Sequence, residues 1–145
     1  MKISTKSRYG LRILVEVAIN TNNGISCTGK TISKSQSISE AYLEQIMIPL
    51  KTAGMVKTKR GCKGGYTLNM DANTITLLSI IELFEGKLTL VSCVSENSCP
   101  MIDSCSTRSV WSELSQTIRE KAGSITLAKI VKQHLENNQT TDFII

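Results

Sequence analysis

Apolar residues recur at three- and four-residue intervals along much of the chain, a spacing that places them on one face of a helix. Together with polar capping residues, this pattern predicts helices over about residues 6–20, 29–36, 40–53, 76–85, 106–122 and 126–136. Thr28 and Ser39 precede the second and third of these helices and Thr126 begins the last, and all three are suitable N-caps. We expect residues 137–145 to form a flexible tail.

A short turn, Ser37-Ile38-Ser39, separates the second and third predicted helices, and this arrangement is typical of a helix-turn-helix. Residues 55–59 and 65–69 alternate between apolar and polar positions, which predicts two short strands. The glycine-rich segment between them favours a tight hairpin turn, or wing. The sequence therefore predicts a mainly α fold with a small β-hairpin wing, a winged helix-turn-helix followed by a long helix.

The two halves of the chain differ in charge. Residues 1–70 carry eleven Lys and Arg against three Glu, a net charge of +8, whereas residues 71–145 carry six against nine acidic residues, a net charge of −3. A basic winged half indicates a polyanionic partner, here double-stranded DNA. The opening MKISTKSRYG lacks an apolar signal segment, and no stretch is long and apolar enough to span a membrane, so we expect a cytoplasmic protein.

An apolar stripe runs along the predicted helix at 106–122 and has two interpretations. It can pack on its own domain, as amphipathic helices usually do. It can also pair with a second copy across a two-fold axis, which would match a palindromic DNA site. We favour a homodimer. The stripe comprises Val110, Trp111, Leu114, Ile118 and Ala122.

Three of the five cysteines, Cys93, Cys99 and Cys105, are separated by five residues each and lie in a segment without periodicity. Thiolates are the soft ligands that zinc and iron-sulfur clusters require, so the spacing predicts a metal centre and leaves both open. Structural zinc sites usually take four Cys or His ligands, and His134, the only histidine, lies on a predicted helix far along the chain. No catalytic group of residues is present, so we do not expect an enzyme. We interpret Cys27 and Cys62 as structural or incidental.

Four motifs in this order resemble those of the IscR-type winged-helix regulators, a family that includes NsrR and CymR. They are KISTKSRYGLR, SEAYLEQ, RGCKGGY and the three spaced cysteines. The resemblance implies a homodimer with a long dimerisation helix and an iron-sulfur cluster in the loop before that helix. Cys93, Cys99 and Cys105 match the family's cluster ligands one for one. We favour a two-iron two-sulfur cluster over a four-iron four-sulfur one.

The fourth ligand departs from the family pattern. Regulators resembling IscR carry a histidine three residues beyond the third cysteine, where this chain has Arg108. NsrR-like proteins use an acidic residue near the N-terminus of the partner subunit, and the corresponding position here is Arg8. A cation cannot donate to iron, so the fourth ligand must be another group, such as Asp103, Glu96, a hydroxyl, solvent or an exogenous thiol.

The same resemblance implies which residues contact DNA. Glu44 and Gln45 match base-reading positions, and physically Glu can accept from cytosine N4 while Gln can bond adenine. Ser39 and Tyr42 are expected to contact phosphate, and Arg60 in the wing to enter the minor groove. Five further cations are expected to anchor phosphates without choosing sequence: Lys6, Arg8, Lys57, Lys59 and Lys63.

We divide the chain into a DNA-binding region at 1–70, a cluster loop and dimerisation helices at 71–136, and a tail at 137–145. The predicted function is a DNA-binding repressor that senses cluster status, controls cluster-assembly or stress genes and has cluster-assembly proteins as partners. One alternative is a regulator of the same fold that senses nitric oxide or cysteine supply. A structural zinc module and an iron-sulfur carrier are alternatives of other classes.

Overall fold

The computed structural model describes residues 2–96 and 99–141. Seven helices and one antiparallel hairpin follow one another along these residues, which confirms the predicted mainly α class with a β-hairpin wing. The elements are α1 (Thr5–Asn22), α2 (Gly29–Gln36), α3 (Glu40–Thr52), β1 (Val56–Lys59), β2 (Gly65–Leu68), α4 (Leu77–Glu85), α5 (Ser92–Ser95), α6 (Arg108–Gly123) and α7 (Leu127–Thr141).

The helix-turn-helix is held by local caps. The Thr28 hydroxyl accepts from the Thr31 N–H at the start of α2, and the Ser39 hydroxyl accepts from the Tyr42 N–H at the start of α3, each at 3.1 Å. Between the helices, Ser37 ends α2 in the left-handed conformation with a φ of 55°. This reversal lets Ile32 of α2 enter the same core as the apolar face of α3.

The hairpin packs through β2 against α1, while most of β1 is exposed. Val56 pairs with Leu68 and Lys59 with Gly65, and only Val56 of β1 is buried. A glycine is needed at position 65 because its φ is 145° and a Cβ there would clash with the carbonyl oxygen of Cys27. That close approach lets Cys27 form an isolated antiparallel bridge with Tyr66, which fixes the base of the wing.

Helix α4 lies at the start of the acidic half of the chain and contacts both α1 and α6. A capping box between Thr76 and Ser79 begins it, close to the predicted start. Its other end packs under α1, where the ring of Phe84 lies so close to Gly10 that a Cβ would approach it to 2.6 Å. Leu127 and Val131 of α7 complete the core from the other side.

Two predictions about the C-terminal half need correction. The cysteine segment shows no periodicity in the sequence, but it includes the single-turn helix α5. The last helix does not end near Glu136: α7 continues to Thr141, so residues 137–141 are helical rather than a flexible tail. The sequence after Glu136 contains neither glycine nor proline, and nothing local stops the helix. The rest of the expected tail, residues 142–145, lies outside the described residues. Among the described helices, none is long and apolar enough to cross a membrane.

Candidate DNA-binding surface and cysteine loop

The start of α3 lies against the start of α1. The rings of Tyr42 and Tyr9 meet edge to face, with centroids 5.9 Å apart. The Arg12 guanidinium also contacts Tyr9 and lies 5.1 Å from its ring centroid. Ser39 and Tyr42 are therefore held beside the first turns of α1, with Ser39 exposed and Tyr42 half-buried.

Glu44 and Gln45, the predicted base-reading residues, are both exposed on the next turn of α3. The Glu44 carboxylate has a hydrogen-bond partner, because the Tyr66 hydroxyl of β2 donates to its Oε1 at 2.5 Å. Burial, and then the hydrogen bond and negative charge of Glu44, raise the pKa of Tyr66 to about 12. The phenol thus stays protonated and acts as the donor.

The predicted cationic residues are all exposed and lie on two elements. Lys6 and Arg8 occupy the first turn of α1. The others lie on β1 and in the hairpin turn: Lys57, Lys59, Arg60 and Lys63. The Tyr9–Tyr42 contact joins α1 to α3, and the Tyr66–Glu44 hydrogen bond joins the hairpin to α3, so both cation-bearing elements are attached to this helix. Exposed cations on elements that adjoin a helix-turn-helix suit a polyanionic partner.

The cysteine loop lies between α4 and α6. Cys93 falls in α5 and is half-buried like Cys99, while Cys105 is exposed just before α6. Hydrogen bonds from the Thr107 side chain and backbone lower the pKa of the Cys105 thiol, with a smaller contribution from Arg108. Lower thiol pKa favours the thiolate that binds metal.

The three thiols have the donor chemistry of a cluster site, but the structure does not bring them together. Within residues 2–96 and 99–141, no group of three or more His, Cys, Asp or Glu side chains is placed to hold a metal ion. Glu96 and Asp103, suggested by the sequence as fourth ligands, are both exposed. Holding a cluster would require the loop to close around it.

Arg108 joins the loop to the first turn of α6. Its guanidinium donates to the Cys93 carbonyl oxygen at 2.7 Å, so the residue at the family's histidine position supports the loop instead of ligating metal. Two helical turns further along, the buried Ser115 hydroxyl accepts from the Leu90 N–H at 3.2 Å. The segment from Leu90 to Cys93 is thereby tied to α6 at two points.

Further polar contacts connect α6 to the DNA-binding region. Arg119 of α6 forms an ion pair with Glu82 of α4, and Glu82 also accepts from the Leu88 N–H at 3.0 Å. At the end of α4, the Glu85 carboxylate accepts from the Ser4 N–H at 3.0 Å and from the Ser7 hydroxyl. Continuous contacts thus run from the cysteine loop to the start of α1, where Lys6 and Arg8 lie.

The apolar stripe of α6 is only partly used within the chain. Ala122 is buried and Ile118 half-buried against the second core cluster. Towards the start of the helix, Val110 is 58% exposed, Trp111 40% and Leu114 44%. The described residues of its own chain therefore leave this apolar half of the stripe partly exposed.

Sequence reasoning misses three contributors to these sites. The sequence identifies Tyr66 only as part of the wing motif. Its inward position in the alternating strand is nevertheless a signal that it contacts α3. The sequence identifies Arg108 as a missing ligand and not as a support for the loop. Glu85, which binds the start of α1, carries no local signal because its partners lie 81 and 78 residues away.

A helix-turn-helix with a basic wing and an exposed second helix defines a winged-helix DNA-binding protein. The model of the Rrf2 family, described as an iron-dependent transcriptional regulator, matches residues 3–133. The chain belongs to this family. It is therefore a transcription regulator and not an enzyme.

Individual relatives agree with this assignment. The regulator CymR of Bacillus subtilis is 39% identical over 127 residues, which cover 88% of this chain and 87% of that protein. The regulator IscR of Xenorhabdus nematophila is 33% identical over 132 residues, covering 91% and 80%. The solved structure of B. subtilis CymR, described as the global cysteine regulator, superposes with a TM-score of 0.77 at 36% identity, covering 92% of this chain and 98% of that one.

Proposed function

We propose that this regulator is a homodimeric repressor that acts in the cytoplasm. Its affinity for DNA would depend on an iron-sulfur cluster held by Cys93, Cys99 and Cys105. The observation that carries the proposal is the attachment of the cysteine loop to α6 through Arg108 and Ser115. A change in loop conformation must therefore act on the helix that reaches towards the DNA-binding region. The genes we expect it to control are cluster-assembly or stress genes, and cluster-assembly proteins are the expected source of the cluster.

The cluster, when bound, would supply a centre that oxygen, nitric oxide or iron shortage can damage. The chain's own residues would convert its presence into a change of conformation. The three thiolates would draw α5 and the start of α6 closer together than the Arg108 contact with Cys93 alone holds them. A shift of α6 would be passed to α4 by the Arg119–Glu82 pair, and from α4 to α1 by Glu85. Loop closure would thus shift an equilibrium between two conformations of the DNA-binding region.

The dimer is proposed from the partly exposed half of the α6 stripe, at Val110, Trp111 and Leu114. Exposed apolar groups in one contiguous stripe are unfavourable in water, and a second copy would cover them symmetrically. Two DNA-binding regions related by a two-fold axis would then read the two halves of a palindromic site. The favoured cluster is two-iron two-sulfur, and the base and phosphate contacts are those assigned above to α1, α3 and the wing.

A second candidate function is sensing of cysteine supply, since B. subtilis CymR is described as a global cysteine regulator. Two observations favour it. The described residues do not gather the thiols into a metal site, and Arg108 replaces the histidine that IscR-like regulators use. In that case the cysteines would not bind iron, and DNA binding would respond to a partner instead.

Anaerobic purification of the wild type, Cys99→Ser and Cys62→Ser separates these functions. The wild type and Cys62→Ser, an exposed wing cysteine that serves as the matched control, should contain iron and sulfide in equal amounts and absorb visible light. Cys99→Ser should contain neither. Iron-free wild type would exclude the cluster proposal, and about one tightly held zinc per chain would indicate the zinc alternative.

A further inference from the structure

The wing strand β2 and the recognition helix α3 share one polar contact at the surface where DNA is expected. Tyr66 of β2 donates from its hydroxyl to Glu44 of α3 at 2.5 Å. Glu44 is exposed, while Tyr66 is only 8% exposed. The carboxylate of a surface residue is therefore fixed by a side chain that is itself held in the core.

Contacts with three further residues, Cys27, Lys51 and Gly29, hold Tyr66 in place. Its backbone N–H donates to the Cys27 carbonyl at 2.7 Å, and the Cys27 N–H donates to its carbonyl at 3.0 Å. The ammonium of Lys51, two turns beyond Glu44 on α3, lies 5.8 Å from the ring centroid. A Cβ at Gly29 would approach the ring to 3.7 Å, so the start of α2 also borders it. The phenol oxygen thus has a defined position relative to α3.

An exposed glutamate on a DNA-facing helix has a cost, because its charge repels phosphate and its side chain samples many rotamers. The Tyr66 hydrogen bond offsets part of that cost by selecting one orientation. Each carboxylate oxygen has two lone pairs, so Glu44 can still accept from a base after it accepts from Tyr66. Preorganised acceptors discriminate between bases better than mobile ones.

We infer that Tyr66 is a specificity-determining positioning residue, which holds the Glu44 carboxylate for reading cytosine N4 in the major groove. This inference rests on the proposed base-reading role of Glu44. Tyr66 does not touch DNA, and it acts only through Glu44. It ties sequence choice by the recognition helix to the correct seating of the wing.

The test is selection from a randomised double-stranded DNA library by the full-length protein, with sequencing of the bound fraction. The variants are Tyr66→Phe, Glu44→Ala and, as a matched control, Thr52→Val, which removes a hydroxyl that donates to the Ile48 carbonyl at the other end of α3. Thermal melting is measured on each. Phe retains the ring and its packing, so only the hydrogen bond is lost.

Wild type and Thr52→Val should prefer cytosine at one position of each half-site, and Glu44→Ala should lose that preference. Tyr66→Phe should weaken the preference at this same position by about tenfold while other positions are unchanged. A Tyr66→Phe profile equal to wild type would overturn the inference and leave base reading by Glu44 intact. Uniform loss of affinity over all sequences with a lowered melting temperature would also overturn it, since a merely structural role gives that result. If Glu44→Ala keeps the wild-type profile, the base-reading role itself fails, and the inference fails with it.

Discussion

The exposed half of the α6 stripe predicts a dimer that Trp111→Ala should break. Trp111 is 40% exposed in the single chain. A tryptophan side chain presents up to about 250 Å², so about 100 Å² remains to be covered. At about 25 cal/mol per Å² this corresponds to about 2 kcal/mol for each protomer, after allowing for the alanine that remains. Two symmetric copies give about 4 kcal/mol, or roughly a thousandfold weaker dimer.

Sedimentation velocity over a dilution series measures this change directly. Trp111 is the only tryptophan in the chain, so the wavelength of its fluorescence emission gives an independent reading of its burial in the wild type. Ile25→Ala is the matched control, because Ile25 is 55% exposed but lies far from α6 in the sequence. The reasoning is refuted if the wild type is monomeric at micromolar concentration, or if Trp111→Ala dimerises as tightly as the control.

Three further predictions follow from other contacts. Burial raises the pKa of Glu82, but hydrogen bonds from the Leu88 N–H and the Arg119 guanidinium outweigh it and lower the pKa below the ordinary Glu value. The ion pair with Arg119 therefore stabilises the fold above the ordinary Glu pKa, and this stabilisation is lost as the pH falls through the lowered value. Arg119→Met should cost about 1 kcal/mol in urea unfolding near pH 7 and less near pH 3; an equal cost at both would contradict this. Lys63→Ala should reduce the slope of log affinity against log salt by about one per protomer, with base preference retained, and a changed preference would argue against a pure phosphate contact. Burial, and then the nearby Glu16 charge, raise the pKa of Cys27 to about 11, so mass spectrometry after alkylation near pH 8 should find Cys27 modified far more slowly than the exposed Cys62, and equal rates would show that Cys27 is accessible.

The helix-turn-helix could be predicted because its signals are local. Thr28 and Ser39 are caps that act within three residues, and both form the expected hydrogen bonds. The glycine-rich turn likewise marks the hairpin, since Gly65 adopts a conformation that side chains disfavour. Local sequence is sufficient wherever one or two neighbouring residues determine the backbone.

The contacts between elements were not predictable in this way. Tyr66 and Glu44 are 22 residues apart, and whether they meet depends on how the hairpin packs on α3. The continuation of α7 past Glu136 is missed because a polar sequence without apolar periodicity resembles a frayed end. Here the Asn138 amide meets the His134 ring at 3.0 Å, one turn back. Side-chain pairs of this kind support a helix end that lacks an apolar face.

The arrangement of the cysteines is the remaining difference between sequence and structure. Their spacing and resemblance to a family predict convergence on one centre, while the described residues hold Cys93 in α5 and Cys105 before the start of α6 without a common site. Thiolates repel one another, so three of them gather only when a cation compensates their charge. Spacing specifies which residues can reach a metal, and a metal bound there would have to supply the energy that closes the loop.

The most direct test of a cysteine loop that controls DNA binding is the affinity of one protein preparation before and after iron removal. A duplex chosen by the library selection is titrated anaerobically with native protein, with the same protein after chelation, and with Cys99→Ser. Our account predicts that chelation changes the affinity at least tenfold and that Cys99→Ser behaves as the chelated protein does with or without chelator. Equal affinity in all three preparations would contradict the account.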